Sequence, residues 1–226
     1  MPRRACWATL LVLLTAATPS MAQDKKFTVK AANAEPPKEL NDPIRKLFGN
    51  NTVQFFDPAG TLICELWFGK EVPVDATPEQ FKNGLTYREL KESQIIAAVR
   101  FDQDWLDYRK QKVKKGVYTM RVGFQPQDGD HAGKSQYTDF VVLCAAARDK
   151  GPEAMSHKSM VELSAKSINS GHPGVFMLFP NEKPGKTALE SRPRDHWVLN
   201  VACPAVSGGT KGTIGFGLTL VGEADE

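Results

Sequence analysis

The chain has 226 residues, with 29 Lys and Arg against 26 Asp and Glu and a formal net charge of +3. Such a balance lacks the basic footprint that nucleic-acid binding needs, so that class of partner is set aside. The length admits one sizeable core and lies within the range of a single all-β domain.

Residues 1–22 read as a cleaved signal peptide. Arg3 and Arg4 form a basic start, Ala5 to Ala17 an apolar run, and Ser20-Met21-Ala22 a small-x-small site with cleavage after Ala22. The apolar run is short for a membrane span and nothing later is longer. Cys6 lies at the start of that run rather than at its end, which argues against a lipid anchor. The expected product is residues 23–226, one domain, periplasmic or secreted.

Phe27 to Ala32 reads as an edge strand, and Asn33 to Asp42 as a loop. Ile44, Leu47 and Phe48 fit a short turn of helix. Thr52 to Phe56 and Thr61 to Lys70 form the clearest early hairpin, joined by the turn signal Asp57-Pro58-Ala59-Gly60. In its second strand Leu62, Cys64, Leu66 and Phe68 face one way, with Ile63 and Trp67 the other. Thr77-Pro78-Glu79-Gln80 has a capping-box layout, cut short by Gly84. Gln94 to Phe101 is a strand, followed by the polar and aromatic run Asp102 to Tyr108.

Arg109 to Lys115 then holds five cations in seven residues. Lys110, Lys112 and Lys114 would share one strand face. That face suits an anionic glycan or lipid headgroup, or it is simply a solvated face that discourages edge pairing. Trp67, Trp105 and Trp197 read as core, with Trp105, inside the polar run, the candidate exception.

From Gly116, Val117, Thr119, Arg121 and Gly123 alternate with Tyr118, Met120, Val122 and Phe124, the period of a half-buried strand. A long polar loop follows, and Asp139 to Ala147 returns as a strand. Ser159-Met160-Val161-Glu162 resembles a capping box, with Val161, Ala165 and Ile168 at helical spacing and Gly171 as the stop. Gly174 to Phe179, Trp197 to Cys203 and Thr213 to Val221 complete about nine strands without βα alternation. That pattern points to a single antiparallel β-sandwich, jelly-roll or immunoglobulin-like, with one or two short helices. Its expected core includes Leu66, Val117 or Tyr118, Val142, Leu199 and Phe216. Cys64, Cys144 and Cys203 sit in apolar strands. Export permits one disulfide in any of three pairings, and the apolar settings favour three buried thiols.

Asp107-Tyr108-Arg109, Gln111, Gly116 to Arg121, Gln125 to His131 and Asp139-Phe140 together resemble a family of uncharacterised secreted bacterial proteins. The resemblance runs from about Val29 to the end and takes in Glu65-Leu66-Trp67 and His172-Pro173. It implies an exported β-sandwich and assigns neither an activity nor a site residue.

The long polar loop is the first candidate site. Gln125, Gln127, Asp128, Asp130 and His131 combine carboxylate acceptors, amide donors and an imidazole, and Pro126, Gly129 and Gly133 confine the backbone. With Asp128 as position 1, Asp130, Gly133 and Asp139 fall at positions 3, 6 and 12 of a calcium-type loop, so Asp128, Asp130 and Asp139 are candidate metal ligands. The alternative is a turn whose carboxylates satisfy its own backbone. Gly133-Lys134-Ser135 lacks the spacing and following helix of a phosphate loop. No nucleophile elbow or Ser-x-x-Lys occurs. Two functions stay open: a non-enzymatic binding module for a carbohydrate, envelope polymer or protein partner, and a hydrolase using loop carboxylates, with or without a metal. The lack of a complete catalytic motif favours the first.

Overall fold

The computed structural model describes residues 26–126, 137–181 and 184–223. Its strands are β1 (Thr28–Asn33), β2 (Phe48–Phe56), β3 (Leu62–Gly69), β4 (Val72–Pro73), β5 (Ile95–Phe101), β6 (Trp105–Leu106), β7 (Lys112–Val113) and β8 (Gly116–Phe124). They continue with β9 (Asp139–Ala145), β10 (Val175–Phe179), β11 (Ala188–Arg192), β12 (His196–Ser207) and β13 (Thr210–Val221). The helices are α1 (Asp42–Arg45), α2 (Pro78–Asn83) and α3 (His157–Ile168), with one 3-10 turn at Tyr87–Glu89.

The fold is β-rich and, apart from the short parallel pair of β4 with β12, antiparallel. One curled, open half-barrel sheet runs in the order β1-β2-β3-β5-β8-β9-β10-β13-β12-β11, and β6 pairs with β7 in a separate hairpin. The curl brings the two ends of the sheet together. Phe27, just before β1, stacks on Phe55 at 5.4 Å and meets Trp197 of β12 edge-on at 5.5 Å.

Side-chain alternation gives the sheet two apolar faces. Tyr118, Met120 and Val122 of β8 lie in the concave core with Leu66, Val99, Leu143, Leu199, Phe216 and Leu218. The other face of β8 is covered too, so the strand is buried on both sides rather than half-buried. Val117 joins Trp67, Ala98 and Ile44 under the α1 segment, while Val142 and Cys144 lie beneath Met160 of α3. On β13, a Cβ at Gly217 would collide with the Phe179 carbonyl, so the glycine lets β10 approach closely. Tyr87 spans that seam: its hydroxyl donates to Phe179 O at 2.7 Å and accepts from Gly217 N at 2.9 Å.

The β10–β13 seam is short, with only Leu178↔Leu218 and Phe179↔Gly217 in register. Beyond it the β6–β7 hairpin is inserted. The Trp105 indole N–H donates to Leu220 O at 3.1 Å, and Tyr108 N donates to Val175 O at 2.8 Å. This wedge creates the cleft described below.

Two local expectations shift. The N-cap of α3 is Ser156, whose side chain accepts from Ser159 N, so the helix starts a turn before the predicted box and buries Met160, Ser164 and Ile168. It ends at Asn169, left-handed at φ 56, rather than at Gly171, because asparagine tolerates that conformation. The α2 capping box forms at Thr77 and Gln80 as predicted. Cys64, Cys144 and Cys203 are all free and buried.

Candidate functional site

The site is built on the β6–β7 hairpin. Asp107 is buried, and its carboxylate accepts from Arg109 N, Gln111 N, Gln111 Nε2 and Val175 N, all within 2.7–2.9 Å. These bonds shape the connection so that Lys110 adopts a left-handed φ of 58. Gln111 Nε2 also donates to Pro173 O at 2.8 Å, tying the hairpin to the chain after α3.

Next to it, Asp104 gathers three donors. Lys112 Nζ lies at 2.8 Å, Lys114 Nζ at 3.4 Å and Lys115 N at 2.9 Å. The Lys112 contact first, and the Lys115 amide second, hold the Asp104 carboxyl well below the usual carboxylate range. Lys112 is raised in return, chiefly by Asp104. Lys112 and Lys114 therefore do share a side, as their spacing implies, whereas Lys110 sits in the turn and not on the strand.

Between hairpin and sheet lies a cleft of about 750 Å³. Trp105, Leu106, Leu220 and Val221 are its apolar lining, while Asp104, Asp107, Lys110 and Lys112 line it from the hairpin. Arg194, Asp195, Gly222 and Glu223 make the other wall. Trp105 is braced edge-on by Phe27 and Phe55, with ring centroids at 6.4 and 6.2 Å. Leu106 is 54% exposed, the one large apolar side chain so open among the described residues. An ion pair between Lys110 and Glu223 joins the two walls.

The far wall is anchored by a histidine. His196 Nδ1 faces the Pro193 carbonyl at 2.9 Å; a carbonyl only accepts, so Nδ1 carries the proton. Nε2 is then the acceptor for the Tyr108 hydroxyl at 3.0 Å. This contact fastens the turn bearing Arg194 and Asp195, both left-handed (φ 64 and 54), to the hairpin.

Of the residues predicted for the polar loop, Gln127, Asp128, Asp130 and His131 lie outside the described residues. Gln125 closes the loop's base, its N–H donating to Thr138 O at 2.8 Å. Asp139 opens β9 opposite Phe124; its Oδ1 is buried with no hydrogen-bond partner among the described residues, and burial raises the carboxyl against the lowering field of Arg88. Among the described residues, no group of three His, Cys, Asp or Glu is arranged to hold a metal ion. None of their helices is long and apolar enough to cross a membrane.

Sequence reasoning reached Trp105 and the basic run but missed Leu220, Val221, Glu223 and the Arg194-Asp195 turn. Leu106, an apolar residue inside a polar run, was the available signal. Taken together, fold and cleft define a β-rich protein with a cleft, lined in part by Trp105, between the hairpin and a curled sheet. Comparison with protein-family models, curated proteins and solved structures finds no match for this chain.

Proposed function

We propose that this chain is an exported, non-enzymatic binding module that takes a saccharide unit of an envelope polymer in the Trp105 cleft. The observation that carries the reading is the cleft itself. Its volume of about 750 Å³ falls in the range of small-ligand sites, and its lining combines the Trp105 indole and aliphatic side chains with charged groups. A sugar ring offers apolar C–H groups for an indole face and hydroxyls for carboxylates and ammoniums. The leader-like residues 1–22 and the resemblance to secreted bacterial proteins support export. In this reading the curled sheet is a variant of the jelly-roll or immunoglobulin-like sandwich, its two arms facing across one core.

Hydrolysis is less well supported. Asp104 is held ionised by lysines and Asp107 is spent on backbone amides, so neither is poised as a general acid. Burial pushes the Cys144 and Cys203 thiols up to about 12, far from a nucleophile's range.

Titration calorimetry of the mature protein against a panel of neutral and acidic oligosaccharides tests the reading. Leu106→Asp is the sharper variant, because Leu106 is exposed and its loss leaves the core intact. Binding should fall about tenfold or more with an unchanged unfolding midpoint. Unaltered binding in that variant, or release of cleaved sugar, would overturn the proposal.

A further inference from the structure

We infer that the saccharide bound in this cleft is acidic, and that its acid group replaces Glu223 on Lys110; this rests on the cleft reading above. The basic run Arg109 to Lys115 is the starting point. Folded as a hairpin, it leaves its lysines exposed but gathers them at one place. Lys110 and Lys112 turn into the cleft, and Lys114 converges with Lys112 on Asp104, two ammoniums to one carboxylate. Residues 104–115 carry five cations against Asp104 and Asp107, and Asp107 is committed to the amides of Arg109, Gln111 and Val175. The opposite lining adds Arg194 against Asp195 and Glu223, so the cleft and its hairpin together hold six cations to four carboxylates, an excess that attracts an anion.

The chain supplies a carboxylate of its own at that place. Glu223 reaches across from the segment after β13 to Lys110, and the two side chains are 51% and 66% exposed. An ion pair that exposed contributes little and exchanges readily. The left-handed turn keeps Lys110 at the mouth whether or not Glu223 is there, since Asp107 and not Glu223 shapes it. A ligand acid can thus take over a preset ammonium while its ring rests on Trp105. A lipid surface fits less well: Leu106 alone is too little exposed apolar surface to seat on a bilayer.

The test compares oligogalacturonate with its fully methyl-esterified form, which has the same backbone without the charge, and with phosphatidylglycerol–phosphatidylcholine vesicles. The acid form should bind more tightly than the ester, and more so at low salt. Glu223→Gln should tighten the acid form by about two- to fivefold and Lys110→Gln should weaken it by a similar factor, with the ester unmoved in both. Equal binding of acid and ester in all three proteins would overturn the acidic-ligand inference and leave the cleft reading standing. Binding of neither would overturn both. Preference for the vesicles would overturn the saccharide and assign the acid group to a lipid headgroup.

Discussion

Arg121 and the lysines of the β6–β7 hairpin are cations on one molecule, yet they are held in opposite ways. Arg121, on the convex face of β8, is 0% exposed and its partner Asp149 is 1% exposed. Its Nε and Nη2 meet the two Asp149 oxygens at 2.9 and 2.7 Å. Nη1 donates to the carbonyls of Ser93 and Glu153, Nη2 also to that of Gly151, and Thr119 Oγ1 adds a bond to Asp149 at 2.5 Å. Every group is saturated, and the result is a staple that pins the chain after β9 to the sheet. Lys110, Lys112 and Lys114 share carboxylates at the surface and retain donors for something else. A buried charge with all its bonds made belongs to the scaffold, and in the proposed reading the exposed charges at the cleft are the ones that serve a ligand.

The largest effect should come from breaking the staple. Arg121→Leu leaves Asp149 buried without its counter-charge and should cost about 3–5 kcal/mol in urea unfolding. Arg121→Leu combined with Asp149→Leu should recover much of that loss, because no lone charge remains. A loss no greater than for a surface lysine would break the comparison. Next in size, Tyr87→Phe removes the hydroxyl that joins β10 to β13 and orphans Gly217 N, for about 1–3 kcal/mol.

Asp139 sharpens the contrast from the other side, as a half-buried carboxylate whose Oδ1 has no hydrogen-bond partner among the described residues. Burial raises its folded pKa, so its favourable contribution is full below the unfolded value of about 3.9 and is lost as pH rises through the folded value. Asp139→Asn should therefore raise the unfolding midpoint at neutral pH and give no gain in acid. Asp104 has the reverse sign. Its folded pKa is lowered, so its contribution is present above the unfolded value and disappears as pH falls through the folded one. Because Asp104 pairs with its lysines at the surface, Asp104→Asn should barely move the midpoint, the smallest of these effects.

Much of the scaffold was legible in the sequence. The two faces of β8, the β2–β3 hairpin and the α2 capping box follow from local spacing and turn chemistry. The single curled sheet does not, because alternation looks the same whether arms belong to one sheet or two, and the β10–β13 seam rests on two residue pairs far apart in sequence. β11 (Ala188–Arg192) escaped because it is an edge strand mostly open to solvent, with no apolar alternation to betray it. For α3, two serines three residues apart both qualify as caps, and the nearer glycine stop was pre-empted by Asn169. The cleft was half visible: Trp105 and the lysines lie in one short stretch, but Leu220 joins them across 115 residues.

The most direct measurement is a titration of the isotope-labelled protein with a saccharide that binds, followed by the Trp105 indole N–H resonance. The account predicts a saturable shift of that resonance, accompanied by the backbone signals of Leu106, Lys110, Val221 and Glu223. An unmoved Trp105 indole, with shifts confined to Gln125, Tyr137 and the residues between them, would place the ligand at the polar loop and contradict the account.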